Sequence, residues 1–158
     1  MRESEYLLNK TIEKDLLKKN KIEVPEVYVK DWIKKNNDEE NTKKLLNEQF
    51  EEYCNQIRWS YIVDDIIDAN KIKIDNSEIE EMAKQQIQHQ LQSSGMQNVT
   101  KDINKFVDNY LKHNKGENYL KIFNQLKSNK VFNHIKEKVT IIKKSITFDK
   151  FKLLANNI

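Results

Sequence analysis

Asn20-Lys21-Ile22-Glu23-Val24-Pro25 and Asn70-Lys71-Ile72-Lys73-Ile74-Asp75 are two versions of one segment, fifty residues apart. The likeness runs backwards, where Ile12, Leu16 and Leu17 stand opposite Ile62, Ile66 and Ile67. It also runs forwards, where Val29 stands opposite Ile79. Apolar residues before each segment recur at three- and four-residue steps, the period of a helix, whereas within the segment they alternate. Each copy therefore reads as an incoming helix, a brief extended linker and an outgoing helix. A degenerate third copy is expected where residues 135–139 run into Thr140-Ile141. Repeating a step that returns one helix to a body and sends out the next builds arms rather than a ball.

Helical periodicity extends outward from the repeat in both directions. Residues 3–19 set Tyr6, Leu7, Ile12, Leu16 and Leu17 on one side of a helix. Pro25 suits the first turn of a second helix, whose apolar residues are Val27, Val29, Trp32 and Ile33 and which Asn36, Asn37 and Asp38 end. Asn41-Thr42 is expected to cap one long helix reaching Asn70. Asp75-Asn76-Ser77-Glu78 reads as a capping box and opens a Gln-rich helix with Ile79, Met82, Ala83, Ile87 and Leu91, broken at Ser93-Ser94-Gly95. Thr100 is expected to cap the next helix, with Ile103, Phe106, Val107, Tyr110 and Leu111 on one face. His113-Asn114-Lys115-Gly116 makes a turn, a last long helix runs from Tyr119 to Val139, and the tail alternates over 141–146 before a short helix with Phe148, Phe151 and Leu154.

Composition agrees with this reading. Only 2 Gly and 1 Pro occur in 158 residues, too few for the turns of an all-β protein. The hydrophobic share of 37% and charged share of 34% suit helices that each bury one stripe. The expected fold is all-α: an elongated helical body with protruding helical arms, forming one domain over 1–158. The net charge of +3, from 28 basic and 25 acidic residues, draws the chain neither to nucleic acid nor to an anionic membrane. Arg2 and Arg58 are the only arginines, and bidentate base or phosphate reading favours Arg. No direct nucleic-acid partner and no membrane partner are expected.

Catalytic constellations do not emerge. Cys54 is the only cysteine, so no internal disulfide or cysteine-based metal site can form, and its acidic and aromatic neighbours do not favour a thiolate. His89, His113 and His134 lack zinc-ligand spacing. Two glycines cannot build phosphate-cradling loops. Glu51-Glu52, Asp64-Asp65 and Glu80-Glu81 are adjacent pairs whose members point to different helix faces. No cofactor, metal or catalytic residue is expected, and the reducing cytoplasm is the expected setting. The apolar residues exceed what thin arms can bury. Trp32, Phe50, Tyr53, Met82, Ile87, Leu91, Met96, Phe106 and Tyr110 are therefore expected to line a binding face, where Met and aromatic side chains make adaptable contacts.

In order and spacing these segments resemble the C-terminal domain of trigger factors, the ribosome-associated bacterial chaperones, over nearly the whole chain. The matching residues are Lys21-Ile22-Glu23-Val24-Pro25, the helix from Phe50 to Asn70, the entry Ile72-Lys73-Ile74-Asp75-Asn76-Ser77-Glu78-Ile79, and the closing Lys138-Val139-Thr140 with a β-like Ile146-Thr147-Phe148-Asp149-Lys150-Phe151. The Val-Pro run ending in Trp32 looks most like the Bacteroidetes branch. The Gln-rich stretch 85–98 departs from the family pattern. The resemblance implies a helical cradle, shared with the periplasmic chaperone SurA, that holds unfolded or nascent polypeptides without ATP. It also implies a fragment that lacks the ribosome-docking and FKBP-like prolyl isomerase domains, reaches the ribosome only through the missing domain, and forms a weak homodimer at most. Two other readings fit the residues: a periplasmic SurA- or parvulin-type chaperone fragment, and a helical adaptor with one fixed protein partner.

Overall fold

A computed structural model describes residues 2–95 and 102–156. Among them are seven helices and no strand: α1 (Arg2–Lys19), α2 (Glu26–Asn36), α3 (Glu39–Asn47), α4 (Phe50–Asn70), α5 (Asn76–Ser93), α6 (Ile103–Lys138) and α7 (Phe148–Asn156). The chain divides into two compact units, one of Met1–Ile66 with Val139–Ile158 and one of Ile67–Lys138.

Both repeat copies take the expected path, α1 to linker to α2 and α4 to linker to α5. The positions fifty apart share their burial: Val29 and Ile79 are both buried, as are Ile33 and Ala83. The helix–linker–helix step occurs a third time, from α6 through residues without regular secondary structure over 140–147 into α7. Phe148 opens α7, the short helix expected around Phe148, Phe151 and Leu154, so the β-like character that the resemblance implies for 146–151 does not extend past Thr147. Once the backbone turns at Thr147, whose carbonyl accepts from the Phe151 N–H at 3.0 Å, Phe148 to Leu154 repeat at helical spacing.

A second correction concerns the long helix. Asp38, not Asn41-Thr42, is the cap, and its carboxylate accepts from the Asn41 N–H at 2.8 Å. The short α3 that follows ends at Asn47, and α4 begins separately at Phe50. Nothing in the structure explains the break at Glu48-Gln49, where neither Gly nor Pro stands. The cap expected at Thr100 lies outside the described residues.

In the first unit α2 packs on α3. Val29, Ile33, Cys54, Ile62 and Val63 are its buried apolar residues. Arg58 ties α4 to the first linker, because its Nε donates to the Ile22 carbonyl at 3.2 Å while its guanidinium also reaches Glu51 and Asn55 at 2.7 Å.

The second unit is a bundle of three helical limbs. Backbone angles leave the helical range at residues 113–116, with Asn114, Lys115 and Gly116 all at positive φ. Asn and Gly tolerate that region best. Val107 and Ile122, on either side of the break, belong to one core cluster with Ile79 and Ala83. A straight helix would hold them roughly 22 Å apart, so the chain folds back on itself and the two limbs of α6 lie against α5. Ile79 and Ile122 are almost wholly buried, each worth about 1.5–3 kcal/mol. Polar ties cross the bundle, among them Tyr119 Oη donating to Asn76 Oδ1 at 2.8 Å, Gln86 Nε2 to Gln125 Oε1 at 3.2 Å, and Lys130 Nζ to Glu78 Oε2 at 2.6 Å.

Candidate functional site

Helix α2 begins at Pro25, whose carbonyl accepts from the Val29 N–H at 3.1 Å. That start fixes which residues face outward. Val29 and Ile33 turn inward, while Tyr28 and Trp32, one turn apart on the same face, stay 70% and 45% exposed. Across from them on α4, Tyr53 stacks on Trp32 with ring centroids 6.5 Å apart and planes 26° off parallel. Tyr61, two turns farther along α4, is also exposed. Tyr28, Trp32 and Tyr53 form an aromatic ledge with open ring surface and polar rims. Phe50 is half-buried nearby, with the Lys30 ammonium 4.5 Å from its ring centroid. That cation–π contact leaves Phe50 less available than its neighbours.

In the second unit Met82, Ile87 and Tyr110 are half-buried and pack against the core cluster. Leu91 is half-buried near the end of α5. Phe106 is 47% exposed, one turn before Tyr110. Met96 lies outside the described residues. None of the eight described residues expected to line a binding face is fully buried. The structure brings Trp32 and Tyr53 together in one unit and Met82, Ile87 and Tyr110 together in the other.

Tyr28, Tyr61 and the α1–α7 face escaped the sequence reading. Tyr28 carried a usable signal, since it precedes Trp32 by four residues. Between α1 and α7 a groove of about 490 Å³ is lined by Glu3, Tyr6, Leu7, Phe148, Phe151, Lys152 and Ala155. Tyr6 and Phe148 are each 64% exposed there. A larger concavity beside the first linker is lined by Lys14, Lys18, Lys21 and Arg58 interleaved with Glu23, Glu26 and Glu51, so it offers no field of one sign.

Among the described residues no group of three or more His, Cys, Asp or Glu side chains is placed to hold a metal. Cys54 is buried and free, and burial pushes its thiol pKa up against the opposing pull of Arg58, the reverse of what a nucleophile needs. Glu78 is held below the usual carboxylate range, first by the Asp75 N–H and then by Lys130. That carboxylate serves the fold. No helix among the described residues is long and apolar enough to cross a membrane.

No curated protein and no solved structure matches the chain. The family model described as "Probable trigger factor, C-terminal domain" matches residues 4–155, which takes in both repeat copies, the aromatic ledge and the three-limbed bundle. On that match the chain belongs to the trigger factor C-terminal domain family.

Proposed function

We propose that this chain holds unfolded or nascent polypeptides without nucleotide, with the Tyr28–Trp32–Tyr53 ledge as a principal contact surface. Its family carries a chaperone-type role whose partners are unfolded or nascent polypeptides, and the C-terminal domain is not the catalytic isomerase domain. The observation that carries the finer reading is the ledge itself. Large aromatic side chains stand exposed at helical spacing on α2, next to a stacked partner ring. Such rings give a large contact area at low entropic cost, and their polar tips tolerate varied neighbours. Phe106 with Tyr110, and the outer sides of Phe50, Met82, Ile87 and Leu91, add separate weak patches on their own units. One flexible client that touches several weak patches gains affinity through effective concentration. Met96 completes the proposed set.

The chain acts in the cytoplasm on this reading, reaches the ribosome only through a domain outside it, and self-associates weakly at most. It needs no direct contact with nucleic acid or membrane. The test is suppression of the aggregation of a chemically unfolded, unrelated protein, without nucleotide. Suppression should rise with dose and fall several-fold in a Tyr28→Ser/Trp32→Ser variant of unchanged far-UV helicity. Undiminished suppression by that variant would remove the ledge from the account. A well-folded chain that suppresses nothing would favour an adaptor with one fixed partner.

A further inference from the structure

Between α6 and α7 the chain runs Val139-Thr140-Ile141-Ile142-Lys143-Lys144-Ser145-Ile146-Thr147, with no regular secondary structure over 140–147. Every one of these residues is exposed, Ile142 to 77% and Ile146 to 43%. Six of the nine are β-branched and none is Gly or Pro, a composition that suits a pleated strand. Among the described residues, the one backbone hydrogen bond involving 140–147 is the Thr147 carbonyl to Phe151 at the start of α7. The backbone groups of 140–146 are thus open to an outside partner. The segment has the makings of a strand and has no strand partner among the described residues.

Charge selects the neighbour. Lys143 and Lys144 are the only charged residues between Val139 and Phe148. Antiparallel pairing of two copies about the middle of the segment would set Lys143 against the other copy's Lys144. Parallel pairing in register would set each lysine against itself. Like charges directly opposite are destabilising, and lysines on an open edge guard against self-association. A partner strand with acidic residues at those positions meets the same lysines favourably.

We infer that residues 140–147 take up an extended stretch of client polypeptide by strand addition, and prefer stretches where acidic residues interrupt β-branched or aromatic ones. This rests on the polypeptide-holding reading and adds backbone recognition to the side-chain contacts of the ledge. Main-chain pairing supplies sequence-tolerant affinity, since every peptide offers the same N–H and C=O groups, while the side chains set the preference.

The test uses the 158-residue chain and fluorescence anisotropy with a labelled decapeptide of alternating Val and Thr carrying two central glutamates. A second peptide has lysines in their place, and a third keeps the glutamates but has alternate peptide nitrogens methylated. The glutamate peptide should bind about tenfold more tightly than the lysine peptide, and Lys143→Glu/Lys144→Glu should invert that order. Methylation of the peptide, and Ser145→Pro in the protein, should each weaken binding about tenfold with helicity unchanged. Equal binding of methylated and unmethylated peptides, or of Ser145→Pro and the parent, would overturn the inference. A dimer dissolved by Ser145→Pro would also overturn it, assigning the segment to a second copy. Aggregation suppression separates the two readings: if it persists and depends on Tyr28 and Trp32 while the peptide effects are missing, only the strand-addition inference falls.

Discussion

The two copies of the repeat share a backbone path and differ in what they do with it. At positions 29 and 79, and 33 and 83, both copies bury an apolar residue. At 28 and 78 they part. The first copy has Tyr28, largely exposed, and the second has Glu78, whose carboxylate accepts from the Asp75 N–H at 3.0 Å and from Lys130 at 2.6 Å. At 32 and 82 the exposed Trp32 stands opposite Met82, which packs on the core of its unit. Each linker also has a carbonyl bound by a distant cation, Ile22 by Arg58 and Lys73 by Lys130. Buried positions and linker ties are what the path requires. The outward positions are free to diverge, so one copy presents a surface where the other closes on itself.

Exchanging the equivalent buried residues tests this comparison most severely. Ile33→Ala should cost about 2–5 kcal/mol, because Ile33 is completely buried and the site collapses only partly. Ala83→Ile should cost about 1–3 kcal/mol through overpacking, since Ala83 sits within the Ile79–Val107–Ile122 cluster. Urea midpoints with unchanged slopes would verify both. If both substitutions were harmless, neither position would be the tightly packed core site that its burial describes.

A smaller effect should appear as a pH dependence that the second copy owes to Glu78, where the first copy has Tyr28. The Glu78 pKa is lowered in the folded chain, chiefly by the Asp75 N–H and then by Lys130. A depressed carboxylate pKa adds stability above the ordinary glutamate value, and that stability is lost as pH falls through the lowered folded value. Glu78→Gln should therefore be less stable than the parent at neutral pH, and the gap should close in acid. Thermal melts across the acid range would read it. A gap that stays constant with pH would mean that the Glu78 charge contributes nothing.

The smallest expected effect separates the linkers themselves. Lys71 has φ of 52°, and the Ile72 N–H reaches the Ile67 carbonyl at 3.0 Å. This is a helix end of the kind usually closed by glycine. Lys21, its counterpart, is not among the described residues with positive φ. Lys71→Gly should stabilise by about 0.5 kcal/mol, the relief of the left-handed strain less the added chain entropy. Lys21→Gly should destabilise by a similar amount. Chemical denaturation of the pair would detect the opposite signs.

The repeat was legible because its signals are local: alternation in the linkers, helical spacing on either side, the Glu78 half of the capping box, and Gly116 in the turn. The break after Asn47 left no trace in the sequence, as no breaking residue stands there. The Asp38 carboxylate starts α3 rather than ending α2, a distinction that residue type alone does not make. The binding face was legible only in part. An apolar stripe shows which side of a helix is apolar, but burial is decided by what arrives from far along the chain. Met82 and Ile87 are half-covered because α6 folds back over α5, whereas Trp32 on an equivalent stripe keeps an open face beside Tyr53. Tyr28 sits between Val27 and Val29, and only its spacing of four residues from Trp32 marks it as part of the outward face.

On the proposed function the first copy's aromatic ledge takes up unfolded chain. Trp32 and Trp59 are the two tryptophans, so a Trp59→Phe variant leaves Trp32 as the sole indole reporter. Adding a tryptophan-free unfolded polypeptide, without nucleotide, should shift Trp32 emission to the blue and lower its quenching by acrylamide, while a folded tryptophan-free protein should leave both unchanged. Unaltered Trp32 emission and quenching, under conditions where the same variant suppresses aggregation, would contradict the account.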